Sequence, residues 1–157
     1  MSRRSVRECA GLVEGEMSTE VLGSRGRNRF YLEGSSRGQM VFVSQSKPSE
    51  HSKGHWEYHF FHTIGASTVE EILEGGGNLI LLDYVNSRYV RLNTGDIVWA
   101  LLNSSRIKGK RNESVVDFVV REVKSETGGA LFLVSYHKDN DSRRHVKLTN
   151  FQFASDG

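Results

Sequence analysis

From Arg29 onward, apolar and polar residues alternate with a period of two over several short runs, the spacing expected of half-buried strands. In "RFYLE" Phe30 and Leu32 fall on one side, "GSSRG" supplies turn chemistry, and "QMVFVSQS" follows as a partner. Residues 29–45 therefore read as a β-hairpin. "KPSEHSKG", which holds the only proline, Pro48, reads as a loop. The next run, 55–64, reads as a strand. It sets Trp56, Tyr58, Phe60, His62 and Ile64 on one face and His55, Glu57, His59 and Phe61 on the other.

The period lengthens at "STVEEILEGGG". Ser67 with Glu70 three residues on matches a capping box, Val69, Ile72 and Leu73 share one face, and Gly75 is placed for a left-handed cap. "NLILLDYV" and "RYVRL" then predict a hairpin turning at Asn86-Ser87, with a first strand apolar enough to be buried on both faces. A second helix is expected from about Thr94, with Asp96 near its positive end and Val98, Leu101 and Leu102 directed inward. After the loop "RIKGKRNE" come three strands, 115–124, 130–137 and 145–151. The first two join through "SETGG", and "KDNDSRR" leads to the third. The predicted order is βββ-α-ββ-α-βββ. It describes an α+β class single domain with a largely antiparallel or mixed β-sheet and two short helices. Residues 28–153 form that domain, preceded by 1–27 as a flexible basic N-terminal arm or short helix, with "GSRGRNR" its most mobile-looking part.

Composition narrows the class without naming a function. The chain has 157 residues, 37% hydrophobic and 25% charged, which suits one globular core that needs no disulfide. Its apolar runs are too short to cross a bilayer, its N-terminus lacks the apolar stretch of a secretory signal, and Cys9 is a lone cysteine. The expectation is a cytoplasmic protein with no membrane partner. Net charge is only +2, but it is unevenly spread. Residues 1–48 carry eight Lys/Arg against five Asp/Glu, residues 49–103 three against seven, and residues 104–157 ten against seven. Two basic ends flank an acidic middle.

That distribution directs attention to two basic segments. Arg106, Lys108, Lys110 and Arg111 crowd one glycine-containing loop, and Arg25 and Arg27 lie in the arm. Flexible cations of this kind neutralise phosphates without reading sequence, so DNA or RNA is the expected partner class. The acidic middle, with Glu70, Glu71 and Glu74 on one helix, supports a protein partner as the alternative, in an adaptor or immunity-type module. The histidines invite a metal reading. His51, His55, His59 and His62 would line one face of a helix, but "GHWEYHFFHT" is a strand sequence. Strand parity leaves His55, Glu57 and His59 together, short of a complete site, and no metal ligand is assigned.

Two places have an acid followed by an acid-x-lysine pattern. In "REVK", Glu122 and Lys124 share a face, and Asp117 lies on the other, so a surface pair explains them. The second is Glu33, followed across the hairpin by Gln45-Ser46-Lys47. With the buried strand, hairpin and helix of residues 78–98, this stretch resembles the PD-(D/E)XK restriction-endonuclease-like proteins over residues 33–98. The resemblance implies that Glu33 holds a divalent metal, that Gln45 replaces a second carboxylate and that Lys47 is the catalytic lysine. Gln45 lacks the charge, and no proline-aspartate pair is present. The expected function is a small intracellular nucleic-acid-associated domain, nuclease-like with a degenerate active site, and a divalent metal is a cofactor only within that reading.

Overall fold

The computed structural model describes residues 2–32, 39–53, 55–125, 128–134, 144–145 and 148–150. For 48–53, 55–61, 123–125, 128–130 and the two last stretches it describes the backbone alone. In chain order the elements are α1 (Val6–Met17), β1 (Val21–Arg25), β2 (Arg29–Leu32), β3 (Met40–Ser46), β4 (Pro48–Lys53) and β5 (His55–Gly65). Next come α2 (Ala66–Glu74), β6 (Asn78–Asp83), β7 (Arg88–Leu92), α3 (Thr94–Asn103) and β8 (Ser105–Lys108). β9 (Glu113–Ser125), β10 (Gly128–Val134), β11 (Arg144–His145) and β12 (Leu148–Asn150) complete the described set. The chain is an α+β single domain.

β6 is the centre. Each of its six residues is buried, because opposite faces serve different cores. Leu79 and Leu81 enter one core with Met40, Phe42, Val90, Leu92, Val116, Phe118 and Val120. Ile80 and Leu82 enter the other with Val41, Val43 and the α1 residues Cys9, Leu12 and Val13. Full burial of each such side chain contributes roughly 1.5–3 kcal/mol. The layers are thus α1, a first sheet ordered β1-β2-β3-β6-β7-β12, and a second sheet ordered β11-β10-β9-β5-β4, with α2 and α3 sharing its core. β3 and β6 run parallel, from Val41 opposite Asn78 to Ser46 opposite Asp83. The chain between them crosses over through β4, β5 and α2.

Of the two alternatives for the N-terminal segment, arm or short helix, the helix is formed: α1 is capped by Ser5 and Glu8 in a reciprocal box and anchored by three fully buried side chains. Several other expectations need correction. "GSRGRNR" belongs to the β1–β2 hairpin. "KPSEHSKG" is mostly β4, paired with β5 so that His51 stands opposite Glu57. Ser67 does not cap α2, which starts at Ala66 with Gly65 as N-cap and no side-chain cap. Gly75 has φ −84°, and the positive angles fall at Gly76 and Gly77. Gly77 is required there: a Cβ would lie 1.9 Å from Thr94 Oγ1.

The β6–β7 turn spans four residues, 84–87, because Asp83 accepts hydrogen bonds from the N–H groups of Val85 and Asn86 at 2.9 and 3.1 Å. α3 is capped by Asn93 and Asp96, but its buried side is Asp96, Ile97 and Ala100. Leu102 is 77% exposed and Val98 37%. The expected last strand divides: β11 pairs with β10, whereas β12 joins β7 in the other sheet. Residues 135–137 of the expected strand 130–137 lie outside the described residues.

Candidate nucleic-acid interface

The segment read as a loop, 106–113, is largely a hairpin. β8 pairs antiparallel with the start of β9, Ser105 opposite Val116 and Lys108 opposite Glu113. Positive φ at Gly109 (75°) and Asn112 (52°) close the turn, and Asn112 N–H donates to the Gly109 carbonyl at 3.3 Å. Glycine and asparagine are the residues that adopt this region at least cost, so "KGKRN" suits the turn it makes.

Arg106 and Lys108, two apart on β8, share a face, and an ion pair sets Arg106 apart from the other cations. Arg106 and Asp117 lie on the face of the second sheet away from the shared core. Arg106 donates from Nε to Asp117 Oδ2 and from Nη2 to Oδ1, the latter at 3.2 Å. Asp117 is 1% exposed, and Thr63 Oγ1 also donates to Oδ1 at 2.8 Å. A carboxylate so buried requires this compensation, so Arg106 holds the hairpin onto the sheet. Lys108, Lys110 and Arg111 are exposed and, among the described residues, have no carboxylate partner. They line a cleft of about 570 Å³ with Thr63, Gly65, Gly109, Glu113 and Val115. Its wall carries three positive groups and one carboxylate, a surface suited to phosphate.

The other basic segment contributes less than its composition suggests. Arg25, 67% exposed, reaches Glu71 at 3.4 Å, and Arg29 reaches the same carboxylate at 2.6 Å while lying 5.5 Å over the Phe42 ring. The Arg29 hydrogen bond holds Glu71 below the usual carboxylate range. This trio fastens the β1–β2 hairpin to α2. Arg27, at the hairpin turn, is exposed.

The three residues implied by the nuclease resemblance do not come together as a described set. Glu33 lies outside the described residues. Gln45 turns toward α1: its Oε1 accepts from Arg4 N–H at 2.7 Å, and its Nε2 donates to the Arg4 carbonyl at 3.0 Å. Both ends of the Gln45 amide are thus tied to the Arg4 backbone, which turns the side chain toward the start of α1. Lys47 is exposed, one residue past the end of β3. Glu122 of "REVK" makes a 2.8 Å ion pair with Arg88, joining the two sheets. The side chains of His51, His55, Glu57 and His59 are outside the description, and His137 is wholly so. Among the described residues no group of three His, Cys, Asp or Glu is arranged to hold a metal ion.

Two groups named in the sequence, His62 and Cys9, are buried, and their surroundings come from the fold. His62 is 2% exposed, with Nδ1 2.9 Å from Ser44 Oγ and no partner for Nε2 among the described residues. Burial pushes its pKa from 6.5 down to about 3. Cys9 is fully buried beside Gln45, and burial, helped by Glu8, raises its thiol to about 11. Strand parity had placed His62 among the aromatics, but the facing Ser44 depends on the β3–β5 contact, which no local pattern gives. No family model matches the chain, and no curated protein or solved structure matches it.

Proposed function

We propose that this protein is a nucleic-acid-associated domain that holds the phosphate backbone with the β8–β9 hairpin. The observation that carries the reading is the triplet Lys108, Lys110 and Arg111. All three are exposed around one cleft, and the neighbouring Arg106 is fixed by Asp117. A cation held in an ion pair gains little from releasing a counterion elsewhere, so the unpaired three are the effective contacts. Arg27 at its separate turn adds a fourth positive group of the same kind. The engagement of Gln45 with the Arg4 backbone supports binding without cutting, with the nuclease-like site degenerate. The test is a gel-shift comparison of the wild type with a Lys108→Gln, Lys110→Gln, Arg111→Gln variant. The variant should lose the shifted band at equal protein concentration. An unchanged shift removes the hairpin from the interface.

A second reading, a protein-interaction module, draws on Leu102 and Val98, which sit one turn apart on α3 and are exposed. Co-purification of a stable protein partner that Leu102→Ser abolishes, with no retention on heparin, would favour it over the first.

A further inference from the structure

β5 ends at Gly65, opposite Val115, but β8 and β9 continue past that point. Two more cross-strand pairs follow, Ile107 with Ser114 and Lys108 with Glu113, and then the four-residue turn. Each residue from Ile107 to Ser114 is exposed, eight in succession. Ile107 is 61% exposed, and among the described residues no strand pairs with the outer edge of β8. The hairpin tip is therefore a two-stranded ribbon that reaches past the end of β5, exposed along its length, with the cleft toward Thr63 and Gly65 on one side and, among the described residues, an unpaired outer edge. At about 3.4 Å per residue the extra pairs and turn reach roughly 10 Å.

Resting on the phosphate-binding reading, we propose that this ribbon inserts into the major groove of duplex DNA and reads base edges there. A B-form major groove is about 12 Å wide and 8.5 Å deep, dimensions that admit a two-stranded ribbon of this reach. Asn112 and Glu113 at the tip are side-chain types that pair with adenine and cytosine edges, and Ile107 offers apolar contact to a thymine methyl. Lys108, Lys110 and Arg111 keep the phosphates at the groove rim. The ribbon has no aromatic side chain on which unpaired bases would stack, which argues against a single strand. The deep, narrow major groove of duplex RNA would not admit it.

The test measures anisotropy of labelled duplex DNA, the same sequence as a single strand, and duplex RNA, each with the full chain. Duplex DNA should bind at least about ten-fold tighter than either, and the major-groove ligand methyl green should displace the protein where the minor-groove ligand netropsin does not. Asn112→Gly, which keeps the positive φ, should flatten a preference of roughly ten-fold at one base pair in a randomised duplex pool. Equal or tighter single-strand binding, displacement by netropsin, or an unchanged preference in Asn112→Gly overturns the groove assignment. Those results leave salt-dependent phosphate binding standing. Absence of binding to all three probes removes both.

Discussion

His62 makes the stability of this protein a function of acid in a way that can be worked from the structure. It lies between the sheets with Ser44 as its hydrogen-bond partner and Phe118 as its cross-strand neighbour on β9. Charging the ring there would strip its hydration with no anion to compensate, which is why the folded pKa falls to about 3 from 6.5. Between those values the unfolded chain holds a proton that the folded chain refuses, so stability drops as pH falls. The contribution is complete above the unfolded pKa and lost progressively down to the folded one. The full difference, about 3.5 pH units, corresponds to roughly 5 kcal/mol, and at pH 4 about 3 kcal/mol would already be gone. That is a large share of the roughly 5–15 kcal/mol that stabilises a typical domain.

Urea denaturation at pH 7 and pH 4, on the wild type and on His62→Gln, isolates the effect from the carboxylates, which titrate in both proteins. The wild type should lose about 3 kcal/mol more than the variant. Equal losses would show that His62 is not buried in its neutral form.

Four further substitutions probe the fold that carries the hairpin. Arg106→Ala leaves the buried Asp117 carboxylate without its cation and should cost about 3 kcal/mol by urea denaturation, whereas a loss near zero would mean the pair is solvated. Gly77→Ala meets Thr94 Oγ1 at 1.9 Å in a left-handed backbone and should cost about 2–3 kcal/mol, read as a lowered thermal midpoint. Ile97→Ala should cost about 3 kcal/mol and Leu102→Ser less than about 0.5, a contrast that equal effects of the two would contradict.

The parts of the fold legible in the sequence are those where one physical signal dominates. β6 reads as central because Leu79 to Leu82 are apolar in succession without alternation, and α3 begins where expected because Asp96 marks its first turn. The inward face of α3 was not legible, since Ile97 to Leu102 are all apolar and no polar position sets the phase. Packing against α2 and β9 sets it instead. β4 and β8 escaped notice because their pairing comes from β5 and β9, not from their own polar residues. α1 is legible only as one of two alternatives, arm or short helix: the box Ser5-x-x-Glu8 marks its start, but Gly11 and Gly15 weaken the helical pattern that follows. In the candidate interface the cations were visible as a cluster. Their division was not: Asp117, which takes Arg106 out of the set, is eleven positions along the chain and buried only through tertiary contact.

The central claim, phosphate contact through Lys108, Lys110 and Arg111, is tested most directly by the salt dependence of binding to a short labelled duplex. At about 0.9 counterions released per phosphate contact, the three side chains account for a slope of roughly −2.7 in log affinity against log salt. The triple glutamine variant should lose about that much slope. A wild-type affinity insensitive to salt, or a slope that the variant retains, would contradict the account.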